Sequence, residues 1–529
     1  MTDIMSHWTF TDKQPREAQI KALKWIEENK DKKYFILQAP TGTGKSYLSL
    51  TASKFFAGNK LGNSFILTPQ KILQEQYERD FSSCGDVFSL YGKANYKCAS
   101  KNTSCNIGSL FKPVCSYCPH KVAKQKAQVN PNVVLNYKLA LASFAYTETF
   151  EPRKLLVMDE CHTLEQFLVD FDAIEVTYYS CKKFNVSTVN TTDITEFCKW
   201  VISKYLPAVE FYYSQLEQTV QYIKDLKSKP SAADQKVLMD YEVVGDLIDS
   251  LTTIKYTKEE DMINNFVLIK NDSSYTVKRI TGVHSFRTIL KNMASKFLFM
   301  SATILDYKAF CNDIGIDEKE ATFLSLDSDF PEENRPIYYM PTMKMNAQWN
   351  SPGNASDRTQ MVENINKLLT MHKDENGIIH TANFQVAQWL VKELSGKIPH
   401  QIFHHNPDTK DDRGAVIRAF LQNKKPSILI SPSCSEGLDL KEDLGRFAIF
   451  AKIAFPFLGD QWILKRKDMS PEWYPRKTII DVMQGCGRVV RSDTDVGYVY
   501  ILDSSFTHLL HSTSNIIPKW WRKSIQTIN

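Results

Sequence analysis

The chain has 529 residues, 43% of them hydrophobic and 12% aromatic, with a net charge of +5. Such a length implies several domains, roughly three or four, and the apolar content excludes a disordered chain. The longest apolar runs, Phe297–Leu305 and Phe447–Leu458, fall short of a spanning helix, the start MTDIMSHWTF carries no leader pattern, and eleven cysteines point to a reducing compartment, so a soluble intracellular protein without a membrane partner is expected.

The charge is unevenly placed. Residues 84–140 hold eight Lys, one Asp and no Arg or Glu, a net +7, whereas residues 166–285 sum to −4. A concentrated positive segment suits a polyanion, although a solvated lysine-rich face would look the same.

Taken in order, apolar spacing predicts a helix over Lys13–Glu28, with Arg16 and Gln19 on one face, able to reach an adenine edge. The run Tyr34–Leu37 predicts a buried strand. It feeds Ala39, Pro40, Thr41, Gly42, Thr43, Gly44, Lys45 and Ser46, a phosphate-binding loop in which Ala39 replaces the usual first glycine. Gly42 and Gly44 let backbone N–H groups surround phosphate oxygens, Lys45 reaches the β- and γ-phosphates, and Ser46 is placed to ligate Mg²⁺. Ser64–Pro69 and Lys71–Phe81 repeat strand and helix, the rhythm of a parallel sheet, and Thr68 and Gln70 fall at a strand's carboxyl end where ligands gather.

Cys98, Cys105, Cys115 and Cys118 follow, with six, nine and two residues between them. Four thiols so close in an intracellular chain point to a metal; iron–sulfur or zinc both suit sulfur ligands, and spacing does not separate them. Another strand, Lys154–Met158, ends in Asp159, Glu160, Cys161 and His162. Behind a phosphate-binding loop, Asp159 would hold Mg²⁺, Glu160 would orient and deprotonate water, and His162 would link the site to moving parts. Residues 166–285 read as mostly helical, with a break near Pro207 and a closing hairpin around Asn271–Ser274; Cys181 and Cys198 read as core.

After the strand Phe297–Met300 comes Ser301–Ala302–Thr303. The run Phe330–Arg335, with Pro336 and Pro341, reads as a boundary. The second half repeats the α/β rhythm: strands at Gly377–His380, Ile428–Ile430 and Phe447–Ala451, a helix over Asn383–Leu394, and a helix from Lys477 carrying Gln484, Arg488 and Arg491. Two arginines three apart on one helix could face one phosphate from across a cleft, as an arginine finger does.

The order APTGTGKS, TPQKILQEQY, DECH, SAT, SEGLDL and QGCGRVVR resembles superfamily 2 helicases of the DEAH type, and the four cysteines followed by a helical insert narrow the resemblance to the XPD/DinG group of iron–sulfur DNA helicases. The stretch YGKANYKC, residues 91–98, is similar to the entry into the cluster domain of DinG-like proteins. The resemblance implies an α/β fold with two RecA-like domains. Residues 1–83, 136–165 and 286–325 would form the first, 84–135 a four-cysteine domain, 166–285 a helical arch and 326–529 the second RecA-like domain. It implies ATP and Mg²⁺, nucleotide contacts at Glu436, Gly437 and Asp439, γ-phosphate sensing by Gln484, Arg488 and Arg491, and a [4Fe–4S] cluster on Cys98, Cys105, Cys115 and Cys118. It also implies a monomer that tracks single-stranded DNA from 5′ to 3′ and opens forked or tailed duplexes in repair, recombination or replication. Lys93, Tyr96 and Lys97, with Thr68 and Gln70, would touch the strand, by charge and stacking. A departure is Asp503–Ser504–Ser505–Phe506, which lacks the arginine often found there. Rival readings are a translocase that does not unwind, an RNA-directed motor, and a zinc-containing binding module.

Overall fold

The computed structural model describes residues 3–81, 86–99, 104–108, 118–225, 231–405, 413–432, 442–490 and 494–528. Ten strands in the first part of the chain are β1 Tyr34–Gln38, β2 Ser64–Thr68, β3 Val87–Ser89, β4 Asn132–Asn136, β5 Arg153–Asp159, β6 Ile174–Thr177, β7 Phe266–Lys270, β8 Ser274–Arg279, β9 Ala294–Ser301 and β10 Ala321–Ser325. Seven follow: β11 Ile337–Met343, β12 Gly377–His380, β13 Gln401–His404, β14 Ser427–Ser431, β15 Phe447–Phe450, β16 Tyr498–Asp503 and β17 Ile525–Thr527.

Two seven-stranded parallel sheets result, in the orders β10-β1-β9-β5-β2-β4-β3 and β13-β14-β12-β15-β16-β11-β17. The central strands are apolar runs without alternation because helices cover both faces: β1, β2 and β14 are buried at every residue. One apolar layer of the first sheet packs Leu156 and Phe299 against Leu164 and Phe310; the other packs Leu37 and Val157 against Leu48 and Ala22. The two parallel α/β domains expected from the sequence are therefore present. The first sheet also takes in β3 and β4, the first inside residues 84–135 and the second at their end.

Between β5 and β9, residues 174–279 form a small antiparallel sheet, β6-β8-β7, and two long helices, Leu206–Asp225 and Ala232–Tyr256. The hairpin turns at Asn271, whose N–H bonds to the Ser274 carbonyl. The predicted break near Pro207 is a π-helical turn over Val201–Tyr205, so the helix runs on through it. Cys181 and Cys198 are buried in this unit's core.

Two of the expected irregularities have local explanations. Pro341 does not break the chain but lies inside β11, where the pairing with β16 shifts register between Tyr339 and Met343, since proline donates no ladder hydrogen bond. Asp503 ends β16 with its carboxylate accepting from the N–H groups of Met345, Ile453 and Ser505, at 3.2, 2.9 and 2.9 Å. The Asp503–Ser504–Ser505 corner is thus satisfied locally without an arginine. Among the described residues no helix is long and apolar enough to cross a membrane.

Candidate active site

β1 delivers the chain to the phosphate-binding loop. Gly42 and Gly44 take left-handed backbone, φ +83° and +80°, and the Lys45–Ala57 helix starts at once, leaving its first N–H groups facing the loop. Ala39 is buried and its N–H bonds to the Ser301 carbonyl at 2.9 Å. Its methyl therefore fills core where the usual glycine would leave space. The Lys45 ammonium is 3.2 Å from the Ala39 carbonyl and 3.9 Å from Glu160 Oε1, so it lies between the loop and the second carboxylate.

Arg16 and Gln19 stand against this loop, though not on one helical face. The helix begins at Glu17 and Arg16 is its N-cap, its N–H bonded to Gln19 Oε1 at 2.9 Å, while its guanidinium donates to the Gly42 carbonyl. The sequence places the helix four residues too early because Lys13–Arg16 continue the polar–apolar pattern without the backbone hydrogen bonds.

β5 ends on Asp159, and Glu160 takes a left-handed backbone, φ +50°, rare for a residue with a Cβ and found where surrounding structure imposes it. This turn sends the two carboxylates to different partners. Asp159 receives the Tyr77 hydroxyl at 3.4 Å, and burial with the adjacent Glu160 charge pushes its carboxyl up to about 6. Burial also pushes Glu160 upward, but Lys45, His162 and Arg488 outweigh it and hold Glu160 down to about 2. Glu160 is thus held ionised, as a group that accepts a proton from water must be. Tyr137 supports the turn by donating to the Asp159 carbonyl at 2.9 Å.

The end of β9 joins the two domains. His162 Nδ1 is 2.8 Å from Ser301 Oγ and 3.4 Å from Glu160 Oε2, and Ser301 Oγ donates to the same carboxylate at 3.4 Å. The Gln38 amide oxygen accepts from Ile304 and Leu305 N–H groups at 2.8 and 2.6 Å, which holds Leu305 in a left-handed turn. From the second domain Gln484 Nε2 donates to Thr303 Oγ1 at 2.7 Å. The helix that carries Gln484 spans Trp473–Cys486 and stops at Gly487. Arg488 therefore lies beyond the helix end, not three residues along it from Arg491, and its charge bears on both Glu160 and His380. Gly485 lies inside the helix against Phe450, and Gly487 caps its end where apolar spacing alone would continue it. Arg491, Glu436, Gly437 and Asp439 lie outside the described residues.

The sequence reading missed Gln38, Tyr77, Ser301 and Thr303 as site residues. Gln38 carried a signal: a polar residue closing an otherwise apolar buried strand has to find a partner.

Thr68 is buried at the end of β2, its hydroxyl 3.2 Å from the Gln70 carbonyl. Lys93 and Lys97 are exposed. Tyr96 is turned inward, its hydroxyl accepting from Tyr91 N–H at 3.3 Å and its ring edge-on to His120. Cys98, Cys105 and Cys118 are buried, with Cys105 and Cys118 sulfurs 3.5 Å apart; Cys115 and Phe111 lie outside the described residues. Burial and the neighbouring Cys118 and Cys98 push the Cys105 thiol up to about 12. Such crowded soft donors fit a thiophilic metal group in their chemistry, although among the described residues no set of three or more metal-ligating side chains is assembled.

Residues 365–524 match the helicase C-terminal domain family, and residues 12–187 match the family of the type III restriction enzyme, res subunit. The ATP-dependent DNA helicase YoaA of Haemophilus influenzae is 20% identical over 90% of this chain and 88% of its own length. A probable ATP-dependent helicase of Methanocaldococcus jannaschii is 21% identical over 92% of this chain and 90% of its own. In shape the chain is similar to an XPD helicase, with a TM-score of 0.64 at 15% identity over 97% of this chain and 100% of that one. It is also similar to S. tokodaii Xpd4, with a TM-score of 0.59 at 12% identity over the same shares. At these identities the likeness in shape carries the fold: two RecA-like domains.

Proposed function

We propose that this chain, an XPD/DinG-like superfamily 2 helicase driven by ATP, moves on single-stranded DNA from 5′ to 3′ and opens forked or tailed duplexes in repair, recombination or replication. The observation that carries the reading is the meeting of both domains at one cleft. Lys45 and Glu160 stand 3.9 Å apart on the first domain's wall of it, and Gln484 of the second domain reaches Thr303 at 2.7 Å.

In this mechanism the loop from Ala39 to Ser46 holds the phosphates, with Lys45 on the β- and γ-oxygens, and Arg16 and Gln19 stand at the adenine end. Ser46 and Asp159 would hold Mg²⁺, which would supply charge neutralisation at the phosphates. Glu160 orients the attacking water and takes its proton, and His162 and Ser301 keep that carboxylate in place. Arg488, with Gln484 and Arg491, senses the γ-phosphate from the second domain, beside Glu436, Gly437 and Asp439. Binding closes the cleft and hydrolysis opens it, so grip alternates along the strand.

Of the expected strand contacts, Lys93 and Lys97 are exposed and Gln70 is partly so, and these three would meet the strand; Thr68 is fully buried and Tyr96 is turned inward, so they support the surface from beneath. Residues 84–135 act as a cluster domain in which Cys98, Cys105, Cys115 and Cys118 hold a [4Fe–4S] group, with zinc as the alternative, and residues 166–285 act as the arch. Such a group, held by these cysteines, would cross-link the domain's loops.

Strand displacement on matched duplexes tests the reading, with protein purified without oxygen. Opening of the 5′-tailed substrate alone is expected. Opening from a 3′ tail alone would remove the polarity, and stimulation of ATP turnover by RNA but not DNA strands would move the substrate. Lys45→Ala is expected to abolish turnover.

A further inference from the structure

Away from the nucleotide cleft, the two domains meet at a second place built almost wholly from buried charge. Arg466, on the Gln461–Met469 helix of the second domain, is 2% exposed. Its guanidinium donates to Glu165 Oε1 at 2.9 Å and to Asp313, and it lies over the Trp473 ring. Arg476 takes the other Asp313 oxygen at 2.6 Å, and the Trp473 indole N–H takes Glu165 Oε2 at 3.0 Å. Both carboxylates belong to the first domain. Glu165 lies one turn past His162 on the Leu164–Phe171 helix, and Asp313 lies on the Tyr307–Ile314 helix that follows Thr303. Trp462 adds an anchor: its indole N–H bonds to the Arg279 carbonyl at 2.8 Å, at the base of the 166–285 insert, and its ring packs with Val169 and Trp473.

Two features give this joint a mechanical meaning. Arg466 and Arg476 are shared between the largely buried Glu165 and Asp313, so opening the joint would break three ion pairs at once, whereas Gln484–Thr303 at the nucleotide cleft is a single neutral hydrogen bond. The joint also stands on the far side of the sheet from the nucleotide loop. Leu164, Phe310 and Ile314 belong to one apolar layer, and Leu48, Leu50 and Ala52 of the loop's helix belong to the other. A cavity of about 50 Å³ between the joint and the catalytic turn is lined by His162, Glu165, Thr303, Trp473 and Arg476.

We propose that Arg466 and Arg476, with Glu165 and Asp313, form a fulcrum that stays closed through the ATP cycle. The domains rotate about it, and Arg466 acts as a positioning residue that passes strand binding through the Leu164–Phe171 helix to Glu160. The inference rests on the motor function proposed above. It adds that the coupling of strand to hydrolysis runs through this joint as well as through the cleft.

The test is ATP turnover with and without single-stranded DNA in the full-length protein, for Arg466→Met, Glu165→Gln and the double variant. Arg466→Met should keep strand-free turnover within about threefold and lose at least tenfold of the stimulation. The double variant should recover part of that loss, because it removes one of the stranded carboxylate charges. An equal fall with and without strand would reduce the joint to a structural prop and overturn the proposal, as would stimulation retained in full. Amide hydrogen exchange of the wild-type protein decides the matter should Arg466→Met fail to fold. Peptides over 164–171, 307–314 and 461–469 should keep the same protection without nucleotide and with ADP plus beryllium fluoride, while the 39–46 peptide changes. Loss of protection at the joint in the nucleotide-free protein would overturn the fulcrum. A wild-type protein without any strand-stimulated turnover would instead sink the motor reading itself.

Discussion

His380 shows how much a single buried group can reveal about the second domain. It ends β12, stacks on Phe450 at 4.4 Å, and its Nε2 is buried with no hydrogen-bond partner among the described residues. Burial, helped by the Arg488 charge, lowers its pKa from 6.5 to about 4. The sign of the pH effect follows. Above pH 6.5 both folded and unfolded chains carry a neutral imidazole. As pH falls from 6.5 towards 4, the unfolded chain takes up a proton that the folded chain refuses, so stability is lost across that window. The loss approaches about 3 kcal/mol at its end. His380→Phe keeps the stack and removes the proton, so its thermal midpoint should fall less steeply than the wild type's between pH 6.5 and 4.5. Parallel curves would show that His380 is not held neutral. None of this is legible in GIIHTANF, where the histidine reads as the end of a strand, because its environment comes from Phe450 and Gly485, far along the chain. The same holds for Arg153, whose guanidinium donates to the carbonyls of Ser64, Asn130, Pro131 and Ala127. Lys45, Asp159 and Glu160, by contrast, are legible because their chemistry is written in short, ordered stretches.

At the scale of elements, strands are easier to read than ends. An apolar run such as YFILQ or SFILT has one plausible place in an α/β protein, between two helical layers, and β1 and β2 take it. Helix ends depend on single hydrogen bonds and on glycine, which is why Arg16 proves to be a cap and Arg488 to stand past a terminus. β3, an edge strand, and β4 beside it fall within the stretch that the sequence-based partition gives to the cysteine domain, because a lysine- and cysteine-rich context hides short strands. The glycines of the nucleotide loop and its helix offer a controlled test. Gly44 has φ +80°, and an added Cβ would lie 2.4 Å from Gln19 Nε2; Gly58, at the helix's other end, has φ +70° with nothing within 4 Å. Alanine at either site meets the left-handed backbone penalty, about 1–2 kcal/mol. Only Gly44→Ala should also displace the loop, lowering ATP turnover at least tenfold while circular dichroism stays native. Gly58→Ala should lower the thermal midpoint and leave turnover near wild type. Equal turnover in the two variants would show that the tight turn at Gly44 is dispensable.

For the whole molecule, a net charge of +5 conceals an arrangement in which opposite charges face each other. The lysine-rich segment and the acidic insert meet: Glu242 and Asp246, on the Ala232–Tyr256 helix, are raised above their ordinary values by burial while the Lys93 charge pulls them back down. Lys93 is therefore already partly compensated by this chain, whereas Lys97, four residues on, is exposed beside the buried Cys98. The two lysines should contribute unequally to strand binding. Each fully released counterion steepens the dependence of log affinity on log salt by about 0.7 for a single strand. Lys97→Ala should flatten that slope by about 0.7, and Lys93→Ala by clearly less, because a strand reaching Lys93 displaces carboxylates rather than salt. Removing the competitors inverts the expectation: in Glu242→Gln/Asp246→Asn, affinity at low salt should rise and Lys93→Ala should then flatten the slope as much as Lys97→Ala does. Fluorescence anisotropy of a labelled single strand, titrated at four or five salt concentrations, reads all of these slopes. Slopes unchanged in every variant would place the strand away from the cysteine segment, and the excess of lysines there would be a solvated surface.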